Sequence, residues 1–262
     1  RTFNGDLSYT DGRYLGNFNG QFDGPAGPFS LNSPFSGDLE RVFLPQLEIV
    51  AGKGKASGHL NLQFADGIGW DTALDLSAID PAYWVAELSG TLAGPMRSQG
   101  LFKNEQLSLT ADLDLKGRLR GQPALLQAKA DGRGAQWNLQ ALDIRLGDNR
   151  IQGKGSLQQK LQAQLDLNLP RLGQLWPGLQ GQIKGRVDAS GTVQAPQGQI
   201  ALQGTRLAWQ DNNLQSLNLD AQLDSGQRGT LALKGTAIKL GDTALGTLQV
   251  NGQGDLKRQQ VK

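Results

Sequence analysis

The 262-residue chain has no cysteine and only one histidine, His59. Disulfides, zinc–thiolate sites and thiol nucleophiles are therefore excluded, and the chain is not built around metal chemistry. Aromatic residues make up 6% of the sequence, too few for the two aromatic girdles of a transmembrane barrel. No apolar run approaches the roughly 18 residues of a membrane helix. Charge is balanced as well: 26 basic and 24 acidic residues are interspersed for a net charge of +2, so the electrostatic footprint of nucleic-acid binding is missing. No signal peptide precedes Arg1. The sequence opens at Arg1 without Met and stops mid-pattern at Gln259-Gln260-Val261-Lys262, so it reads as a piece of a longer protein.

What the sequence does contain is alternation. From Leu107 to Gln122, Leu107, Leu109, Ala111, Leu113, Leu115 and Leu119 take one side, while Ser108, Thr110, Asp112, Asp114, Lys116, Arg118 and Arg120 take the other. Period two means extended strand with one apolar and one wet face. The same parity returns at Leu60 and Leu62, at Leu74 and Leu76, and at Leu161, Leu165, Leu167 and Leu169. It continues at Ile183 and Val187, Ile200 and Leu202, Leu217, Leu219 and Leu223, and Leu231 and Leu233. Leu142, Ile144 and Leu146 continue a strand begun by Trp137, Leu139 and Ala141, but with the parity slipped, so an irregularity is expected near Ala141. Before about Pro45 the alternation is broken by Gly, Asn, Phe and Pro, and short strands are expected there. Asp66-Gly67, Gly147-Asp148-Asn149 and Asp211-Asn212-Asn213 supply turns for tight hairpins.

Two segments carry helical punctuation. Asp80 can cap a short helix with Pro81 at its first position and Tyr83, Trp84, Val85 and Leu88 following; the weaker Pro170–Leu179 carries Trp176. Both follow a Leu-Asp-Leu string, at Leu74–Leu76 and Leu165–Leu167, offset by 165 − 74 = 91 residues. Offsets of 95 and 94 relate Leu47-Glu48-Ile49 to Leu142-Asp143-Ile144 and Leu146-Gly147-Asp148 to Leu240-Gly241-Asp242. A period of this kind implies stacked units within one continuous segment over 1–262, with repeat-like units roughly at 1–45, 46–140, 141–235 and 236–262.

Candidate chemistry is weak. Asp75, Asp112, Asp114, Asp166, Asp188 and Asp220 all sit at wet parity, as solvated residues do. His59 has no partner motif, and Gly52, Gly54, Gly58, Gly252 and Gly254 lack the strand-then-helix context of a phosphate loop. Lys116, Arg118 and Arg120, like Lys184 and Arg186, form basic rows that keep exposed strands soluble or touch anionic headgroups or glycans. No enzyme is expected. Trp84 and Trp176 are candidates to plug or cap the open side of the sheet, with ordinary core anchoring as the alternative.

A sheet this wide must curl, close or split into layers, and two short helices cannot cover it. The expected fold is all-β, an elongated curled antiparallel sheet forming a trough. Its lining is rich in Leu, with 43 Leu against 7 Val and 8 Ile, a bias that the source genome's composition could also produce. An apolar trough of this kind suits acyl chains.

Several strings resemble the TamB family, within the AsmA-like, repeating β-groove group. They are Ala73–Leu76 with Trp84 and Leu88-Ser89-Gly90, Leu146–Asn149, Leu179–Gly185, Ser190-Gly191-Thr192-Val193-Gln194-Ala195-Pro196, and Gly204–Gln210, with best coverage from about Leu44 to Leu223. The resemblance implies a groove of taco-like section in the periplasm, in a protein anchored in the inner membrane. It implies movement of phospholipid to the outer membrane, no cofactor, and an outer-membrane barrel partner, TamA, met through regions outside this sequence. The competing reading is a scaffold or chaperone that assists outer-membrane protein insertion by β-augmentation.

Overall fold

A computed structural model of the chain describes residues 2–24, 27–192, 194–255 and 259–261; Val193 of the Ser190–Pro196 string, and Arg1 and Lys262 at the ends, lie outside them. Two compact units divide between Ala135 and Gln136. The first holds β1 (Thr2–Thr10), β2 (Arg13–Gly24), β3 (Gly27–Gly37), β4 (Arg41–Ala51), β5 (Gly54–Gln63), β6 (Ile68–Ile79), β7 (Gly90–Lys103), β8 (Gln106–Leu119) and β9 (Gln122–Arg133). Every strand pairs antiparallel with the next, and among the described residues β1 and β9 do not pair, so the meander is open rather than closed into a barrel.

The second unit repeats this plan with β10 (Gln136–Leu146), β11 (Asn149–Leu157), β12 (Leu161–Leu169), β13 (Leu179–Gly191), β14 (Pro196–Trp209), β15 (Asn212–Leu223), β16 (Arg228–Leu240), β17 (Thr243–Asp255) and β18 (Gln259–Val261). Here too each strand is antiparallel to its successor. The fold is all-β, as the alternation predicts. Among the described residues no helix is long and apolar enough to cross a membrane.

The N-terminal strands differ from the expectation of short pieces: β1, β2 and β3 run 9, 12 and 11 residues. Their breakers are absorbed locally. Pro34 falls where the β3–β4 ladder slips between Asn32 and Ser36, so its missing N–H costs no regular ladder bond. Gly16 and Gly20, which carry no side chain of their own, lie under the rings of Phe35 and of Phe22 and Phe18.

The ladders slip elsewhere too. On β10 the slip falls between Leu139 and Leu142, at the irregularity expected near Ala141: two residues, Gln140 and Ala141, oppose one on β11, and the parity of Leu142, Ile144 and Leu146 is restored. Further slips occur on β6 between Leu76 and Ile79 and on β16 between Gly235 and Ile238, where Ala78 and Ala237 adopt φ of 49° and 48°. Such bulges bend strands and add twist, as a curling sheet needs.

Both helical punctuations are present and both are short. Asp80 accepts bonds from Ala82 N–H and Gly90 N–H, each at 3.0 Å, framing single 3-10 turns at Pro81–Tyr83 and Ala86–Leu88. The second becomes α1 (Leu172–Leu175).

Candidate functional site: an uncovered apolar face

Cross-strand registers define the candidate site, because residues directly opposite share a face. In the first unit, Leu60 and Leu62 oppose Thr72 and Trp70, while Leu74 opposes Met96 and Leu76 opposes Gly94. Leu113 opposes Met96 from the other side, Leu109 opposes Gly100, Leu107 opposes Phe102, and Leu115 opposes Leu126. The same face continues through Leu44, Ile49 and Leu31 to Phe22, Phe18 and Tyr14. Sequence reasoning did not include these aromatics in the lining. Their rings form a run, Tyr9 to Tyr14 at 4.9 Å and Phe18 to Phe22 to Phe29 at 6.1 and 5.4 Å between centroids.

In the second unit, Ile144 opposes Ile151, Leu165 opposes Val187, Leu167 opposes Gly185 and Leu169 opposes Ile183. Val187 opposes Ile200, Leu202 opposes Leu219, Leu217 opposes Gly204, Leu219 opposes Leu233, and Leu223 pairs across to Gly198. Leu142 faces Gly153, Leu146 faces Asn149, Leu161 faces Leu157, Ile183 faces Gly204, and Leu231 faces Ala221. The registers thus bring the sequence-predicted residues of each unit onto one face.

Within each unit, among the described residues, no second layer packs over that face. Among the described residues only eight apolar side chains are buried: Leu47, Leu74, Leu92, Leu115, Ala124, Leu146, Leu169 and Leu172. Of the 24 leucines, isoleucines and valine named as lining, four are in this set, Ile144 and Leu231 are exposed, and the other eighteen are half-buried. A packed sandwich would bury most of them.

The opposite face is charged and internally paired. Asp112 meets Lys129 across β8–β9 at 3.9 Å, and Arg186 meets Asp166 and Asp188 at 3.8 and 3.1 Å. Hydrogen bonds from Gln199 and then Arg186 hold the Asp188 carboxyl below its usual range. Asp143 is clamped between Arg150 and Arg145, each reaching it at 2.7 Å; these two guanidiniums hold its carboxyl far below the ordinary carboxylate value. His59 also lies on this face, with Nε2 3.1 Å from Asp71 Oδ1. Among the described residues no group of histidine and carboxylates is arranged to hold a metal.

Each unit lays one helical segment against one end of its strands. In the first unit, Tyr83 donates its hydroxyl to Pro28 O at 2.9 Å. Tyr83 and Trp84 roof a cavity of about 280 Å3 walled by Phe29, Ile49, Ala51, Ala56 and Ile79. In the second unit, Asn149, 1% exposed, donates to Leu146 O, Arg171 O and Gln174 Oε1, and its Oδ1 accepts from Arg171 N–H. Trp84 is 65% exposed and Trp176 38%, whereas Tyr83 and the buried Leu172 make the inward contacts. The asparagine was missed because a turn Asn reads as a positive-φ residue, not as the anchor of a segment 22 residues away.

The family described as "TamB, N-terminal domain" matches residues 3–262. The translocation and assembly module subunit TamB of Haemophilus influenzae is 27% identical over 256 residues, covering 96% of this chain and 20% of that protein. The chain thus spans about a fifth of the length of that curated relative. No solved structure matches it. An open all-β meander with one uncovered apolar face and a family match over nearly its whole length agree, and the chain belongs to the TamB family, in its N-terminal domain.

Proposed function

We propose that this chain is a segment of a periplasmic phospholipid conduit that works within a translocation and assembly module, between an inner-membrane anchor and an outer-membrane barrel partner, TamA, met by other parts of the protein. The observation that carries this reading is the half-buried apolar face that runs strand after strand without a covering layer. A phospholipid with about thirty chain methylenes loses on the order of 20 kcal/mol of hydrophobic stabilisation when it enters water, at about 0.8 kcal/mol per methylene. An apolar surface offered at every strand removes most of that barrier. None of the lining residues named above is charged, so no site holds a headgroup in place, and burial stays even along the path. In this reading Trp84 and Trp176, at the ends of the two helical segments, plug or cap the path.

The test places Asp at Leu113, Leu165 and Leu219 in the full-length protein. Co-purified phospholipid and outer-membrane integrity should both fall; if neither changes, the conduit is wrong. Photo-crosslinkers on the apolar face should capture phospholipid. If crosslinkers on the charged face instead capture unfolded outer-membrane proteins, the chain acts as a scaffold by strand addition.

A further inference from the structure

The two helical segments are attached in different ways. In the second unit, Asn149 ties three backbone or side-chain acceptors, Asp148 N–H donates to Gln174 Oε1 at 2.8 Å, and Leu172 is 2% exposed. In the first unit, neither 3-10 turn has a buried residue, and Trp84, Val85, Ala86 and Glu87 are all exposed. Asp80 fixes both ends of residues 80–89 where they leave β6 and enter β7. Between those ends the segment reaches β3, three strands and so about 14 Å away, and among the described residues its one hydrogen bond there is Tyr83 Oη to Pro28 O. Tyr83 lies against the Gly27 and Gly52 positions of two neighbouring hairpins, where an added Cβ would meet its hydroxyl at 2.6 Å and its ring at 3.7 Å.

A segment with pinned ends, little buried surface and a single distant hydrogen bond opens at low cost. Beneath it lies the apolar cavity of about 280 Å3, close to the lower size of small-molecule sites, about 300 Å3. We infer that residues 80–89 form a hinged lid, latched by Tyr83 on Pro28, over a port where one phospholipid acyl tail enters or leaves the apolar face between β3 and β6. The segment at 171–176 is a fixed rib by comparison. The lid rests on the conduit reading, and the experiment separates the two.

In the full-length protein, a photo-crosslinking side chain replaces Ile49, beneath the lid, or Leu113, on β8. In each background Pro28→Cys and Tyr83→Cys allow a short thiol–thiol cross-linker to hold the lid shut, with no other cysteine in this chain to compete. Captured phospholipid is identified by mass spectrometry. Holding the lid shut should lower capture at Ile49 by about tenfold and leave capture at Leu113 unchanged. Tyr83→Phe alone should raise capture at Ile49 by about fivefold, the population shift one net hydrogen bond supplies. Equal capture at Ile49 with the lid held or free, no response to Tyr83→Phe, or failure of the two cysteines to cross-link overturns the lid. Absence of phospholipid at both Ile49 and Leu113 in every state overturns the conduit itself.

Discussion

The indole of Trp70 lies across the floor of Gly100, its directly opposite residue on β7, with its N–H donated to Ser98 Oγ at 2.9 Å. A Cβ on Gly100 would stand inside the ring. The pairing keeps a bulky side chain flat, so the apolar face stays low where a tall residue would obstruct it. Gly100→Val should lift the indole, break its bond to Ser98 and destabilise the protein by about 1–3 kcal/mol. A lower urea midpoint with red-shifted tryptophan emission checks this; an unchanged midpoint would show that the ring is not pinned.

The fixed rib makes a second expectation. Asn149→Ala removes the donor shared by Leu146 O, Arg171 O and Gln174 Oε1, and takes from the Leu146 and Arg171 carbonyls the amide that binds them. The cost should be about 2–3 kcal/mol. Asn149→Asp, which keeps the shape but loses the amide donors, should fare no better. Hydrogen exchange should then accelerate at 172–176 ahead of the flanking strands.

Leu172 and Trp176 test which residue of that rib is the anchor. Leu172 is 2% exposed and Trp176 38%. Leu172→Ala should cost about 2–4 kcal/mol, and Trp176→Ala under about 1 kcal/mol. The reverse order in denaturant midpoints would restore tryptophan as the core anchor.

Acid should weaken the Asp143 clamp only below the ordinary carboxylate range. Its folded carboxyl is held far below the ordinary value of 3.8 by Arg150 and Arg145, so its contribution is present above about that pH and is lost as pH falls below it toward the folded value. Asp143→Asn should lower stability by about 1–2 kcal/mol at neutral pH, and the gap between variant and parent should hold down to about pH 4 and narrow as melting is measured from there to pH 2. A gap independent of pH would mean that the clamp acts through shape rather than charge.

Much of this could be read from alternation alone. The parity of Leu107–Leu119 and Leu161–Leu169 fixes which face each side chain takes, and the slip at Ala141 calls for a bulge or turn to keep Leu139 and Leu142 on one side, which the ladder supplies as a register shift between them. The Asp80-Pro81 pair announced the first segment through local capping chemistry. What stayed hidden is either non-local or carried by atypical residues. Ala78 and Ala237 adopt positive φ without the Gly or Asn that would signal it. Tyr83 meets Pro28 across 55 residues of sequence, and nothing near either one encodes the meeting. The aromatic lining of β1–β3 escaped because glycines such as Gly16 and Gly20 interrupt it, and they read as breaks until a neighbouring ring is seen to cover them.

The ladder order has a consequence for how such a protein comes into being. Within each unit every strand pairs with the one synthesised just before it. Each hairpin can therefore dock as it is delivered, on a template that already exists, without waiting for a distant segment to arrive. A chain delivered vectorially, N-terminus first, could be knitted row by row, each new strand added at the growing edge of the meander.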